Sequence, residues 1–386
     1  MPVPSAPTEP VLRAEARVDL DAIRANVQRL RAAAPTAEVM AVVKAEGYGH
    51  GLLPSALAAK DAGASWLGVA ILDEALALRD SGVEGRILAW LAAPGERWSD
   101  AIRADIDVSV SSTWALDEVS SAAETTGRPA RVHLKVDTGL GRNGATPNDW
   151  PALVQSAAKA QADGTIDLAG LWSHLAYADE PRHPTITAQV AVFRQALVVA
   201  EDAGLDPEVR HLANSAATLT LPEAHFDLVR PGIAVYGVSP GVAVGTPEQL
   251  GLTPAMTLAA RFVAVKRVPA GQGVSYGHQY VTTAETTLGL VPLGYADGIP
   301  RNATNVGPVL AAGRRRTIAG RVCMDQFVLD LDGDDVAAGD EVLLFGPGTN
   351  GEPTAEDWAL ATGTIGYEIV TRIGARVPRV YVGESG

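Results

Sequence analysis

A chain of 386 residues, 47% of them hydrophobic, is long and apolar enough for two domains, or for one large barrel with an addition. The formal net charge of -14 excludes a nucleic-acid partner held by a basic excess, and the one run of three cations, Arg314-Arg315-Arg316, reads as a solvated turn. A single cysteine, Cys323, excludes an internal disulfide framework and a thiolate metal cluster and fits a reducing, cytoplasmic compartment; no metal site and no membrane span are expected.

In chain order, Met1 to Pro10 is Pro-rich without an apolar centre and reads as a flexible leader rather than a signal peptide. Strands are then predicted at Val39–Lys44, Trp66–Ala70, Ile87–Leu91, Asp107–Val110, Val132–Asp137, Leu168–His174, Val209–Leu212 and Leu228–Tyr236. Between them lie amphipathic stretches such as Leu20–Ala34, Asp73–Asp80, Ala115–Glu124 and Ile186–Ala203. Eight such units predict a (β/α)8 barrel over residues 11–245. A doubly wound sheet is disfavoured because no GxGxxG turn follows the first strand. The Pro/Gly-rich stretch Ser239 to Thr246 marks a change. Beyond it, short apolar runs at Leu258–Val268, Thr287–Leu293, Val309–Leu310 and Val342–Phe345 predict a mainly-β domain over residues 246–386.

Lys44 ends the apolar run Val39-Met40-Ala41-Val42-Val43 and precedes Ala45-Glu46-Gly47-Tyr48-Gly49-His50-Gly51. An amine at the mouth of a buried strand is partly desolvated, which lowers its pKa and suits it to a Schiff base with a carbonyl cofactor. The same placement also fits a lysine snorkelling to solvent, but the chain has only five lysines. His174 falls at the end of the sixth strand, Asn214-Ser215 after the seventh and Arg230-Pro231-Gly232 at the eighth. In a barrel this is the catalytic face, and loops after strands seven and eight commonly hold phosphate; Ser215, Gly232 and Ile233 would supply donors.

These segments resemble the alanine racemase family. The matching stretches are Val43 to Gly51, Lys135-Val136-Asp137-Thr138-Gly139-Leu140-Gly141-Arg142, Ser173-His174-Leu175-Ala176 and His211-Leu212-Ala213-Asn214-Ser215. Arg230-Pro231-Gly232-Ile233-Ala234, Val274-Ser275-Tyr276-Gly277, Gly294-Tyr295-Ala296-Asp297-Gly298 and Gly320-Arg321-Val322-Cys323-Met324-Asp325 continue the match in the same order. The resemblance implies a pyridoxal 5'-phosphate enzyme of fold type III, a homodimer with shared active sites, interconverting L- and D-alanine for cell-wall peptidoglycan.

By that resemblance Lys44 carries the cofactor as an internal aldimine, the substrate reacts as an external aldimine, and Tyr48, Asn214, Ser215, Gly232 and Ile233 bind the cofactor. Racemisation needs acid/base groups on both faces of the substrate; the resemblance assigns Lys44 and, from the partner subunit, Tyr276. A phenol is a poor base near neutral pH, so cations are expected beside Tyr276. Arg230 would face the pyridine nitrogen; a guanidinium only donates, so that nitrogen would stay unprotonated and transamination would be disfavoured. His174 would orient Arg230, Arg142 and Met324 would contact substrate, and Lys135 would be a candidate carbamate that holds Arg142.

Glu46-Gly47 stands where the family usually has Asn-Ala, Tyr177 where a small residue is frequent, and Ala375 where some members carry a tyrosine. The rival readings are a racemase of broader specificity, for instance toward serine, and a pyridoxal phosphate decarboxylase of the same architecture, which Arg230 and Tyr276 oppose.

Overall fold

The computed structural model describes residues 12–383, so the expected leader Met1 to Pro10 lies outside the described residues. The chain divides into two compact units, one of residues 21–253 and one combining the N-terminal segment up to Leu20 with residues 254–385.

The first unit is an eight-stranded parallel sheet: β2 (Glu38–Val42), β3 (Trp66–Ile71), β4 (Arg86–Leu91), β5 (Asp107–Val110), β6 (Ala130–Lys135), β7 (Ile166–Trp172), β8 (Val209–His211) and β9 (Leu228–Val229). The strands lie in the order β8-β7-β6-β5-β4-β3-β2-β9. The two edges meet through Asp227 N–H to Arg210 O at 3.0 Å and Arg230 N–H to Ala213 O at 2.9 Å, so the sheet curls into a (β/α)8 barrel as expected. The connecting helices each turn one stripe inward. In Leu20–Ala33 the stripe is Ile23, Val27 and Leu30, all fully buried.

The eighth strand is shorter than the predicted Leu228–Tyr236. Pro231 lacks the N–H a strand needs, and after Gly232 the chain tightens into a 3-10 turn, Ile233–Tyr236.

The second unit corrects the expected domain boundary in two ways. Strand β1 (Ala14–Asp19), read from sequence as part of the barrel, instead pairs antiparallel with β10 (Met256–Arg261), Ala16 opposite Leu258, and alternates buried and half-buried side chains. The other boundary falls at Pro254 rather than at residue 246. The remaining strands are β11 (Ala264–Val268), β12 (Gly273–Val274), β13 (Tyr280–Val281), β14 (Thr286–Val291), β15 (Pro308–Ala311), β16 (Arg314–Thr317), β17 (Phe327–Asp330), β18 (Glu341–Phe345) and β19 (Arg379–Val382). They form a six-stranded sheet in the order β16-β15-β18-β10-β1-β19, a three-stranded sheet β11-β14-β17 and the pair β12-β13. The unit is mainly β, with helices Ala355–Thr362 and Gly366–Thr371 in addition.

Arg314-Arg315-Arg316 is strand, not turn. Ala312 and Gly313 have φ of 50° and 69°, so the two-residue hairpin falls just before the arginines and pairs Ala311 with Arg314.

Candidate active site

Lys44 directly follows β2 and its neighbour Val43, and the chain then makes a left-handed turn. Ala45, Glu46, Gly47 and Tyr48 have φ of 53°, 55°, 60° and 53°. For residues with a Cβ this conformation costs on the order of 1–2 kcal/mol each, and such strain concentrates at functional sites. Gly47 to Val43 (2.9 Å) and Gly49 to Ala45 (3.0 Å) are the turn's own backbone bonds. Glycine suits position 47: a Cβ there would lie 2.7 Å from Ser55 Oγ and would push that side chain aside. The substitution of Gly for the family's alanine is therefore matched by its surroundings.

The turn is also held from outside. Glu74, in the helix after β3, accepts the N–H of Ala45 at 2.6 Å with one oxygen and that of Ala70 at 3.0 Å with the other. Lys44 is half-buried, with its Nζ 5.8 Å from the Trp90 ring centroid and 5.9 Å from that of Tyr48. Burial and then the positive charge of Arg142 lower its pKa, and Glu74 opposes them.

Strand β6 delivers Lys135, which is 3% exposed, with Nζ 4.0 Å from the centroid of the Trp172 indole. Burial, followed by the charges of Arg230 and Arg142, pulls its pKa down to about 7. The loop beyond it is wound around Asp137, whose carboxylate accepts from the amides of Gly139, Leu140 and Gly141 at 2.9–3.2 Å. That loop presents Arg142, which is exposed. Gln189 ties it to the next one, donating to Thr138 Oγ1 and to His174 O, both at 3.1 Å.

Strands β7, β8 and β9 bring in the rest. Asn214 caps the helix Ser215–Thr220, its side-chain oxygen accepting from Ala217 N–H at 3.1 Å. Ser215 Oγ accepts from the amides of Gly232 (2.8 Å) and Ala234 (3.3 Å), which leaves its own proton to donate. At Gly232 a Cβ would lie 2.3 Å from the Tyr48 hydroxyl, so only glycine lets these segments approach. The Tyr48 ring packs 5.1 Å from that of Tyr236.

Arg230 is buried and donates to Ser173 O at 2.8 Å, His211 Nδ1 at 3.1 Å, Leu212 O at 3.3 Å and His174 Nδ1 at 3.4 Å. Its guanidinium also lies 4.7 Å from the Trp172 ring centroid. Burial weighs against its charge and brings its pKa to about 9, still protonated at neutral pH. His174 and His211 are both held well below the usual histidine range, by burial first and Arg230 second, so both are neutral. His174, expected to orient Arg230, does contact its guanidinium, and His211 makes a shorter contact beside it.

Sequence reading missed His211, Glu74 and Trp172. His211 was visible inside a quoted motif without a role. Glu74 carried no signal, since its reach to Ala45 spans 29 positions and depends on the barrel pairing β2 with β3.

Tyr276 and Met324 lie in the other unit, on two adjoining loops. Tyr276 is 70% exposed and follows Ser275, which has φ 60° and ψ -171°, a region close to glycine-only. Ser275 Oγ donates to Arg321 O at 2.8 Å, holding the strained loop against residues 321–324. The Met324 carbonyl accepts from Ala296 N–H at 2.9 Å, and its side chain is exposed. Of the other departures, Tyr177 stacks on His183 at 3.7 Å and Ala375 is exposed.

The barrel face thus gathers two guanidinium groups, Arg142 and Arg230, the amines of Lys44 and Lys135, a hydroxyl and a glycine-lined cradle, an arrangement suited to an anionic ligand and an amine nucleophile. Among the described residues no group of His, Cys, Asp and Glu side chains is placed to hold a metal ion, and no helix is long and apolar enough to cross a membrane.

Comparison with known proteins agrees. The alanine racemase N-terminal domain matches residues 18–240 and the alanine racemase C-terminal domain residues 255–381. The chain is 64% identical to an alanine racemase of Frankia casuarinae over 96% of this chain and 97% of that one, and 62% identical to one of Streptomyces coelicolor over 97% of each. A crystal structure of alanine racemase from a D-cycloserine-producing Streptomyces lavendulae superposes with a TM-score of 0.97 at 62% identity, covering 98% of this chain and 99% of that one. The chain is an enzyme, an isomerase, and belongs to the alanine racemase family.

Proposed function

We propose that this enzyme interconverts L- and D-alanine with pyridoxal 5'-phosphate as cofactor, using Lys44 and Tyr276 of the partner subunit as the two bases of a homodimer. The observation that carries this reading is the setting of Lys44: an amine whose pKa is lowered by burial and by the charge of Arg142, on a strained turn clamped by Glu74. The residues present fit the cofactor. Tyr48, Ser215 and the chain at Gly232-Ile233 would hold its phosphate, with Asn214 supporting Ser215 through the helix cap. Arg230 and His174 would address the ring. When bound, the cofactor supplies an electron sink that acidifies the α-proton of the attached amino acid.

The protein's own groups then do the proton work. Lys44, once its amine is released, takes or returns the α-proton on one face; Tyr276 of the partner subunit serves the other. Arg230 has donors only and, among the described residues, no carboxylate partner, so it gives the ring nitrogen no proton to gain, a choice that favours racemisation over transamination or decarboxylation. Arg142 and Met324 would contact the substrate. Lys135, near half-neutral at pH 7, is suited to react with carbon dioxide as a carbamate, whose negative charge would pair with Arg142. The D-alanine made in the cytoplasm would supply cell-wall peptidoglycan; the lone cysteine fits that compartment.

The test is direct. Purified protein with pyridoxal phosphate should absorb in the visible and racemise alanine, and borohydride reduction with peptide mapping should place the cofactor on Lys44. A label on any other lysine, or no racemisation by the loaded protein, overturns the reading.

A further inference from the structure

A line of buried polar side chains runs through the barrel interior away from Arg230. Arg230 donates to His211 Nδ1 at 3.1 Å, His211 Nε2 lies 2.9 Å from His133 Nδ1, and His133 Nε2 lies 3.0 Å from Asp107 Oδ2. His211, His133 and Asp107 are each 0% exposed. Asp107 is fixed in turn by Arg86 at 2.7 Å and Arg131 at 3.0 Å. The room for this line is built into β7, where a Cβ on Gly170 would lie 2.2 Å from His133 Nδ1.

The direction of every bond follows from its two ends. A guanidinium only donates, so His211 Nδ1 must accept; the proton of a neutral His211 is then on Nε2. His133 Nδ1 must accept that proton, which places the His133 proton on Nε2, aimed at the Asp107 carboxylate. Both ends select the same tautomers, and no member is left with donor facing donor. Reversing any one ring would set two N–H groups against each other among fully buried side chains.

We propose that His211, His133 and Asp107 are positioning residues that hold Arg230 as a fixed donor toward the cofactor ring through this one-way line of hydrogen bonds. The inference rests on the racemase reading above. Its consequence is that a carboxylate at the far side of the barrel bears on the reaction's outcome: with the line broken, Arg230 keeps its Nη2 bonds to Ser173 O and Leu212 O but loses the acceptor that fixes Nη1, and stray protonation at the ring should let transamination compete.

The first test reads the rings in the intact holoenzyme. With histidine labelled at both ring nitrogens, magnetic resonance should show His133 and His211 each carrying the proton on Nε2, with Nδ1 accepting. A doubly protonated ring, or a proton on Nδ1 of either one, overturns the proposal.

The second test uses two variants. In His133→Leu the line is cut, and kcat should fall about 10- to 100-fold with KM little changed, the size expected for one lost charge-linked bond, while pyridoxamine phosphate accumulates during turnover. In His133→Gln the amide can accept from His211 and donate to Asp107, so it should recover most of the lost kcat and suppress pyridoxamine phosphate. A His133→Leu enzyme that turns over normally, or a folded His133→Gln enzyme as impaired as His133→Leu, overturns the proposal. Should His133→Leu not fold, the ring tautomers and a comparison of His133→Gln with the parent decide it. Correct racemisation by the parent with the wrong tautomers would sink the relay and leave the racemase reading standing.

Discussion

The Glu74 carboxylate accepts the backbone N–H of Ala45 at 2.6 Å, one residue beyond Lys44, and so ties the helix after β3 to the turn that carries the amine. Its second oxygen holds Ala70 N–H at 3.0 Å. In Glu74→Gln one of these amides would face an NH2 group, and the negative charge that raises the pKa of Lys44 would be gone. Cofactor affinity should weaken about tenfold, the cost of one charge-assisted bond, and the pH at which the bound cofactor's absorbance titrates should move down. An unchanged titration would separate Glu74 from Lys44.

Gly47 gives a stability prediction. With φ 60° and Ser55 Oγ 2.7 Å from a would-be Cβ, Gly47→Ala should destabilise the barrel by about 1–2 kcal/mol. The melting temperature should drop by roughly 2–8 °C for a unit of this size. An equal or higher melting temperature would show that the turn tolerates the side chain.

The neutral histidines set an acid limit. An unfolded histidine takes a proton near pH 6.5, whereas His174 and His211 in the fold resist it to well below that value. The unfolded chain therefore binds more protons as pH falls through 6.5, and stability, complete above that pH, is lost below it. Melting temperatures of the parent and of His211→Gln between pH 5 and 8 check this: the parent should fall away more steeply below about 6.5. Identical slopes would contradict it.

Lys135 should react only as the neutral amine. Its pKa of about 7 makes that form abundant under mildly alkaline conditions. Labelled bicarbonate should give a carbamate carbon signal that grows as pH rises through 7 and is absent in Lys135→Gln. A signal independent of Lys135, or none at pH 8, would contradict the carbamate.

How much of this was legible in the sequence depended on the range of the physics. The barrel showed through because buried parallel strands write apolar runs, and seven of the eight predicted strands lie within about two residues of those observed. Strand β1 was missed because its pairing partner, β10, lies some 240 positions away. The site residues that motifs marked, Lys44, Tyr48, Lys135, Ser215 and Arg230, do converge on one barrel face. The groups that hold them, Glu74 on the turn, His211 on Arg230 and Gln189 between loops, act across strands, and no local pattern announces them.

The shared-site homodimer makes its own prediction. A Lys44→Ala chain and a Tyr276→Phe chain are each expected to be inactive alone. Subunit exchange should restore activity in heterodimers that hold one intact pair of bases. No recovery after verified exchange would rule out Tyr276 of the partner subunit.

The most direct measurement concerns the two bases themselves. If Lys44 serves the face from which the α-proton of D-alanine leaves and Tyr276 the other, Tyr276→Phe should abolish net racemisation while Lys44 still exchanges the α-proton of D-alanine. With the loaded variant in deuterated buffer, α-hydrogen exchange is followed separately from D-alanine and from L-alanine. Exchange confined to D-alanine is the predicted result; equal residual exchange from both enantiomers would mean that one group, or water, serves both faces, and would contradict the two-base assignment.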